Sequence, residues 1–131
     1  MVIDKVKIPH RPINGSLGGL VAMTAGCDVV GVNGAVIIGL TAGLVVVLSE
    51  RVIERVFKLD DVVGAVSVHG VCGALGTVML AFFAAPENLL APTRMGQVLI
   101  QLEGVGLIFV WSFGVSLVLF KLLDLTVGMR V

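Results

Sequence analysis

The chain has 131 residues, 57% of them hydrophobic and 14% charged, and nine Lys and Arg balance nine Asp and Glu to a net charge of zero. Soluble domains carry about 25% charged residues, so a mean hydropathy of +1.10 leaves too little polar surface for a water-facing globule, and the neutral balance offers nothing to nucleic acid. Two cysteines, Cys27 and Cys72, lie in apolar, small-residue surroundings that make neither a zinc pattern nor a disulfide framework, and they read as packed thiols.

What remains is an all-α integral membrane protein, a single domain over residues 1–131 whose charges cluster between apolar runs. Those runs approach the ~20 residues a helix needs to cross the hydrocarbon core. The opening "MVIDKVKIPHRPINGS" lacks the basic-then-apolar layout of a cleavable signal peptide. Span one is predicted over 12–27, short and rich in Gly and Ala. The turn "DVVGVN" follows, with Asp28 as a turn residue or helix cap. Span two, over 34–57, turns polar from Ser49, and Glu54 precedes Lys58 by one helical turn, a spacing that favours an ion pair. Span three, over 61–84, opens on "LDD", acidic side chains where the positive end of the helix dipole favours them. The linker "APENLLAPTRMGQ" ends it, and span four runs over 98–123 with Glu103 near its outer end. There Glu103 reads as a packing or capping group.

The basic residues sort by side. With four crossings, Lys5, Lys7, Arg11, Arg51, Arg55, Lys58, Lys121 and Arg130 share one face, and only Arg94 takes the other. The positive-inside rule then puts both termini in the cytoplasm. Gly15 and Gly19, Gly39 and Gly43, and Gly70 and Ala74 recur at the spacing by which membrane helices approach closely.

Span three carries one ionisable ring. His69 lies eight residues beyond Asp61, about 12 Å along a helix rising 1.5 Å per residue, which is near the midplane of a ~30 Å core. An ionisable group at that depth is a functional candidate, and a neutral histidine bonded to a neighbouring helix is the alternative. Gly70, Gly73 and Gly76 thin one side of the helix, enough to admit a neighbour or a narrow conduit.

"LDDVVGAVSVHGVCGALGT" resembles the late, histidine-bearing helix of the ammonium transporter (Amt/Rh) family, bacterial Amt type. "NGSLGGLVAMTAGCDVVGVNGAVIIGLTAGLVVV" is similar to the two preceding spans, and "QLEGVGLIFVWSFGVSLVLFKLLDLTVGMRV" resembles the final, long, tilted helix. The resemblance covers the chain after the first dozen residues, in the family's order, and corresponds to the last four of eleven spans. It implies a pore with two stacked histidines, His69 matching the second, through which ammonium is deprotonated and ammonia passes. Asp61 matches the acidic position at the helix start, where it implies a structural role, as Gly70 and Gly73 do beside the ring. It further implies homotrimers, contact with PII-type regulatory proteins and no cofactor.

The departures from the family pattern are specific. The partner histidine, the outer site with its tryptophan and serine, and the paired phenylalanine gate belong to earlier spans. Trp111 does not match the recruitment tryptophan and reads as a lipid or packing residue, and Val62 replaces a common proline. The expectation is therefore a pore contributor that does not transport alone. The alternative is a truncated, non-conducting product or a module that associates with intact transporters. No nucleophile–base pair, metal cluster or phosphate loop suggests an enzyme.

Overall fold

The computed structural model describes residues 10–61 and 63–128. Lys5, Lys7, Val62 and Arg130 lie outside the described residues, as does the side chain of Arg11. The chain is all-α: α1 (His10–Thr24), α2 (Val32–Arg55), a π-helical segment (Ala65–Val71) running directly into α3 (Cys72–Phe83), and α4 (Arg94–Val127). Among the described residues, three helical runs are long and apolar enough to cross a membrane, namely α2, the continuous 65–83 run and α4. α1 has 15 residues and is about 22 Å long, short of a ~30 Å core.

α1, α2 and the 65–83 run pack through stripes that repeat every four residues. Asn14, Gly18 and Ala22 are buried on α1, with Gly26 in the turn that follows, Ile38, Ala42, Val46 and Glu50 on α2, and Val68, Cys72, Gly76 and Leu80 on the third run. Ala22, Ile38, Ala42, Val46, Val68 and Cys72 form the central cluster. Lipid tails are as apolar as these side chains, so close fit rather than hydrophobic drive holds the helices together. The glycines paired in the sequence do meet: a Cβ on Gly19 would stand 3.2 Å from the Gly39 carbonyl, and one on Gly43 3.5 Å from that of Gly15. At Gly76 a Cβ would overlap the Ala22 carbonyl, so α3 rests directly on the α1 backbone. Gly70 differs, since a Cβ there would meet only Val66 of its own helix.

Several boundaries depart from the sequence reading. α2 ends at Arg55, and Lys58 takes the left-handed conformation (φ 54°) while the Leu59 N–H donates to the Ile53 carbonyl. That closing turn satisfies orphan carbonyls of the helix end and removes Lys58 from the helical face, so the Glu54–Lys58 helical spacing is not realised. Helix three starts at Ala65 rather than 61, because Asp61 and Gly64 cap it from outside. Cys27 is exposed in the turn after α1, not packed, whereas Cys72 is buried with its thiol 3.6 Å from the Ala42 carbonyl. Asp28 is a turn residue; the N-cap of α2 is Gly31.

At the opposite end, Arg94 Nη1 donates to the carbonyls of Ala81, Phe82 and Ala84 (3.1, 2.7 and 3.2 Å) and caps α3. A cation there meets the negative end of the helix dipole. Gln97, 2% exposed, accepts from the Leu90 and Ala91 N–H groups and folds the linker back. Thr93 opens α4 by accepting from the Gly96 N–H. With 34 residues, α4 is about 51 Å long, so it crosses at a slant or projects beyond the bilayer. It extends past the predicted span four at both ends. Among its described residues only Gln97 and Val98 are buried, and Glu103 and Trp111 are exposed.

Candidate functional site

The third helix is built around an unusual start. The Asp61 carboxylate accepts from the N–H groups of Val66 (3.1 Å) and Ser67 (2.9 Å) and from the Ser67 hydroxyl (2.8 Å). Burial alone would raise its pKa. The Ser67 and Val66 N–H groups, the Ser67 hydroxyl and the Ala65 N–H outweigh that and hold it below the ordinary 3.8. Between Asp61 and the helix, Gly64 turns with φ +70°, and its carbonyl accepts from the Val68 N–H at 2.7 Å. The following seven residues wind as a π-helix, which ends where the Cys72 N–H reaches both Ser67 and His69 carbonyls.

His69 is the fifth residue of the 65–83 run. It lies about 6 Å from the start of that helix and about 21 Å from its end at 1.5 Å per residue, nearer the start than the sequence spacing suggested. Its ring is exposed and has no hydrogen-bond partner among the described residues. The neighbouring helix bond that would satisfy a structural histidine is therefore not made among the described residues. Ser67 and Cys72 turn elsewhere, to Asp61 and to the Ala42 carbonyl.

The ring stands in a groove of about 840 Å³ between the 65–83 run and α4. Gly70, Gly73 and Thr77 continue one wall; Gly104, Ile108, Phe109, Ser112 and Ser116 belong to the other. The helices run antiparallel, so His69 faces the stretch around Ser112 and Phe113, near the middle of α4. Phe109 and Phe113 stack at 5.8 Å between centroids. The trough is mostly apolar, with one imidazole and a few hydroxyls. A neutral imidazole offers one donor and one acceptor, so it can take a proton on one nitrogen and release one from the other.

Of the residues singled out in the sequence, His69, Gly70 and Gly73 share the groove, while Asp61 stands apart as the cap of the helix that carries them. Gly76, grouped with them by sequence, serves the α1 contact instead. Sequence reasoning missed Asn14 and Glu50. They are 5% exposed each, and Asn14 Nδ2 donates to Glu50 Oε1 at 2.7 Å directly behind Gly64. A bond between membrane helices is worth about 0.6–2 kcal/mol. Their signal was present: each polar residue falls on the four-residue stripe that is otherwise small or apolar.

Comparison with known proteins converges. The sequence model of the Ammonium Transporter Family matches residues 5–131. A putative ammonium transporter of Synechocystis sp. is 38% identical over 120 residues, covering 91% of this chain and 25% of the relative. The ammonium transporter Amt2 of Archaeoglobus fulgidus is 36% identical over 129 residues, covering 90% and 27%. Among solved structures, a "Sensor Amt Protein" superposes with a TM-score of 0.89 at 41% identity, covering 93% of this chain and 31% of that one. The chain thus spans about a quarter of the length of the curated relatives it matches.

Proposed function

The chain belongs to the Ammonium Transporter Family, and from that premise we propose that it forms one wall of a conduit for ammonium or ammonia in which His69 handles the proton. It is a multi-pass membrane protein by its apolar helices and its family. The observation that carries the reading is the unpartnered imidazole of His69 in an open trough walled by glycines, an aromatic stack and hydroxyls. An ionisable group within a membrane span, facing a cavity rather than a packing partner, marks an ion pathway more readily than a structural site.

In this reading the chain corresponds to the last four spans of the family's fold. A second histidine from polypeptide outside this sequence stands beside His69, and further spans close the groove. The chain alone does not conduct, because one side of the trough is open. Gly70 and Gly73 keep the wall thin beside the ring, and Asp61 fixes the helix start. Arg51, Arg55, Lys58 and Lys121 gather at one end, while Arg94 at the other is bonded to α3. That asymmetry supports cytoplasmic termini in an inner (plasma) membrane. A homotrimer and a cytoplasmic face for PII-type proteins rest on the family resemblance.

The test is methylammonium flux through the complete assembly with His69→Ala against wild type. Loss or altered selectivity is expected; unchanged flux and selectivity would remove His69 from the pore. Flux through vesicles holding this chain alone would overturn the claim that it needs further walls. Co-purification with an intact transporter, without effect on its flux, would favour an interaction module instead.

A further inference from the structure

We propose that Asn14 and Glu50 are positioning residues for His69: their buried hydrogen bond supports Gly64 and thereby sets the π-helical register that aims the ring into the groove. The transport readout of this proposal rests on the pore reading above; the geometry does not.

Asn14 on α1 and Glu50 on α2 lie in the interface that the 65–83 run completes. Gly64 sits directly on the pair: a Cβ there would come within 2.5 Å of Asn14 Nδ2 and 3.3 Å of Glu50 Oε1. Gly64 in turn is the cap of the π-helical segment, and its carbonyl takes the Val68 N–H. At the far end of the segment, the bifurcated N–H of Cys72 and its thiol contact with Ala42 fix the return to α-helix. The segment is held at both ends with one residue more than an α-helix would place there. π-helical turns are rare and cluster at functional sites.

The register matters because of its neighbours. One residue of helix register turns a side chain by about 100°. Val68 is 1% exposed in the core, whereas His69 lines the groove. A single step of slippage would carry the ring toward the place of Val68 and away from the conduit. Two apolar side chains would join α1 to α2 as well as an Asn–Glu pair does, without the desolvation cost of a buried carboxylate. The pair instead supplies a fixed polar seat for a left-handed glycine, and so a defined start for the π segment.

The test compares Glu50→Ala, Glu50→Gln and Asn14→Ala in the whole chain, in phosphatidylethanolamine–phosphatidylglycerol vesicles. Carbethoxylation of His69 by diethyl pyrocarbonate is followed by peptide mass, with His10 as the internal reference. The alanine variants should label His69 severalfold more slowly, while Glu50→Gln, whose side-chain oxygen still accepts from Asn14, should keep the wild-type rate. In the complete assembly, Glu50→Ala should lower flux roughly 10- to 100-fold, as displacements of about 1 Å do, with Glu50→Gln restoring it. Unaltered His69 labelling in the alanine variants would overturn the proposal. So would equal losses in Glu50→Gln and Glu50→Ala, because charge rather than the hydrogen bond would then be responsible. Should Glu50→Ala fail to accumulate, Asn14→Ala carries the same reading. If His69→Ala leaves flux intact, the pore reading falls while labelling still decides the positioning.

Discussion

The bundle of α1, α2 and the 65–83 run and the long helix α4 are all rich in apolar residues, yet they use that character oppositely. In the bundle, small residues every four positions let backbones touch, and among the described residues Asn14, Glu50, Asp61 and Ser67 are buried as bonded pairs, Asn14 with Glu50 and Asp61 with Ser67. α4 is apolar on all sides and nearly unburied, and its Gly104, Gly106 and Gly114 have open space around them. Hydrophobicity assigns a segment to the membrane; small-residue spacing decides whether it packs within the chain. A helix apolar all round belongs in lipid or inside a larger protein.

The sharpest way to break this comparison is one substitution made in both regions. Gly76→Ala drives a methyl into the Ala22 carbonyl. It should destabilise the bundle by about 3 kcal/mol, the upper end for overpacking, since backbone cannot swing aside. Gly114→Ala should instead be neutral or stabilise by up to about 1 kcal/mol through helix propensity. Unfolding of both variants in mixed detergent micelles reads the difference, and equal effects would deny the contrast.

A smaller effect sharpens the boundary between the regions. Arg94→Ala removes three bonds to the end of α3 and should cost about 1–2 kcal/mol, because charge-assisted bonds at a helix C-terminus are worth that much. The loss should be read in the same unfolding assay and be accompanied by faster amide exchange at residues 81–84.

The smallest effect concerns acid. The carboxyl of Asp61 has its pKa lowered in the folded state, so its contribution is complete above the unfolded value near 3.8 and is lost as pH falls through the folded one. Stability measured downward from pH 5 should therefore decline less steeply in Asp61→Asn than in wild type. Parallel slopes would show that the cap bonds do not depend on the ionised carboxylate.

Much of the fold was legible because its signals are periodic. The spacing of Gly15 and Gly19 and of Gly39 and Gly43 marked faces fit for close helix approach, though not which helices would meet, and charge clusters stood between the apolar runs. The site was legible in part. His69 stood out because an imidazole in an apolar run is chemically conspicuous, and Gly70 and Gly73 followed from it. The start of its helix was misplaced by four residues, since an acidic pair before an apolar run looks the same whether it opens the helix or caps it from outside. Glu50 was hidden for a similar reason: beside Ser49, Arg51 and Glu54 it read as part of a polar helix end.

The sequence by itself determined the solvent of this protein, its helical class, and the single titratable ring within its spans, because these depend on composition and on short repeats along one segment. The tertiary structure decided the π register, the left-handed Gly64, the Asn14–Glu50 seat, the Arg94 cap and the groove against α4. Each of these depends on which backbone and polar groups stay unpaired until distant segments meet, and a pattern along one segment does not say which partner each group finds.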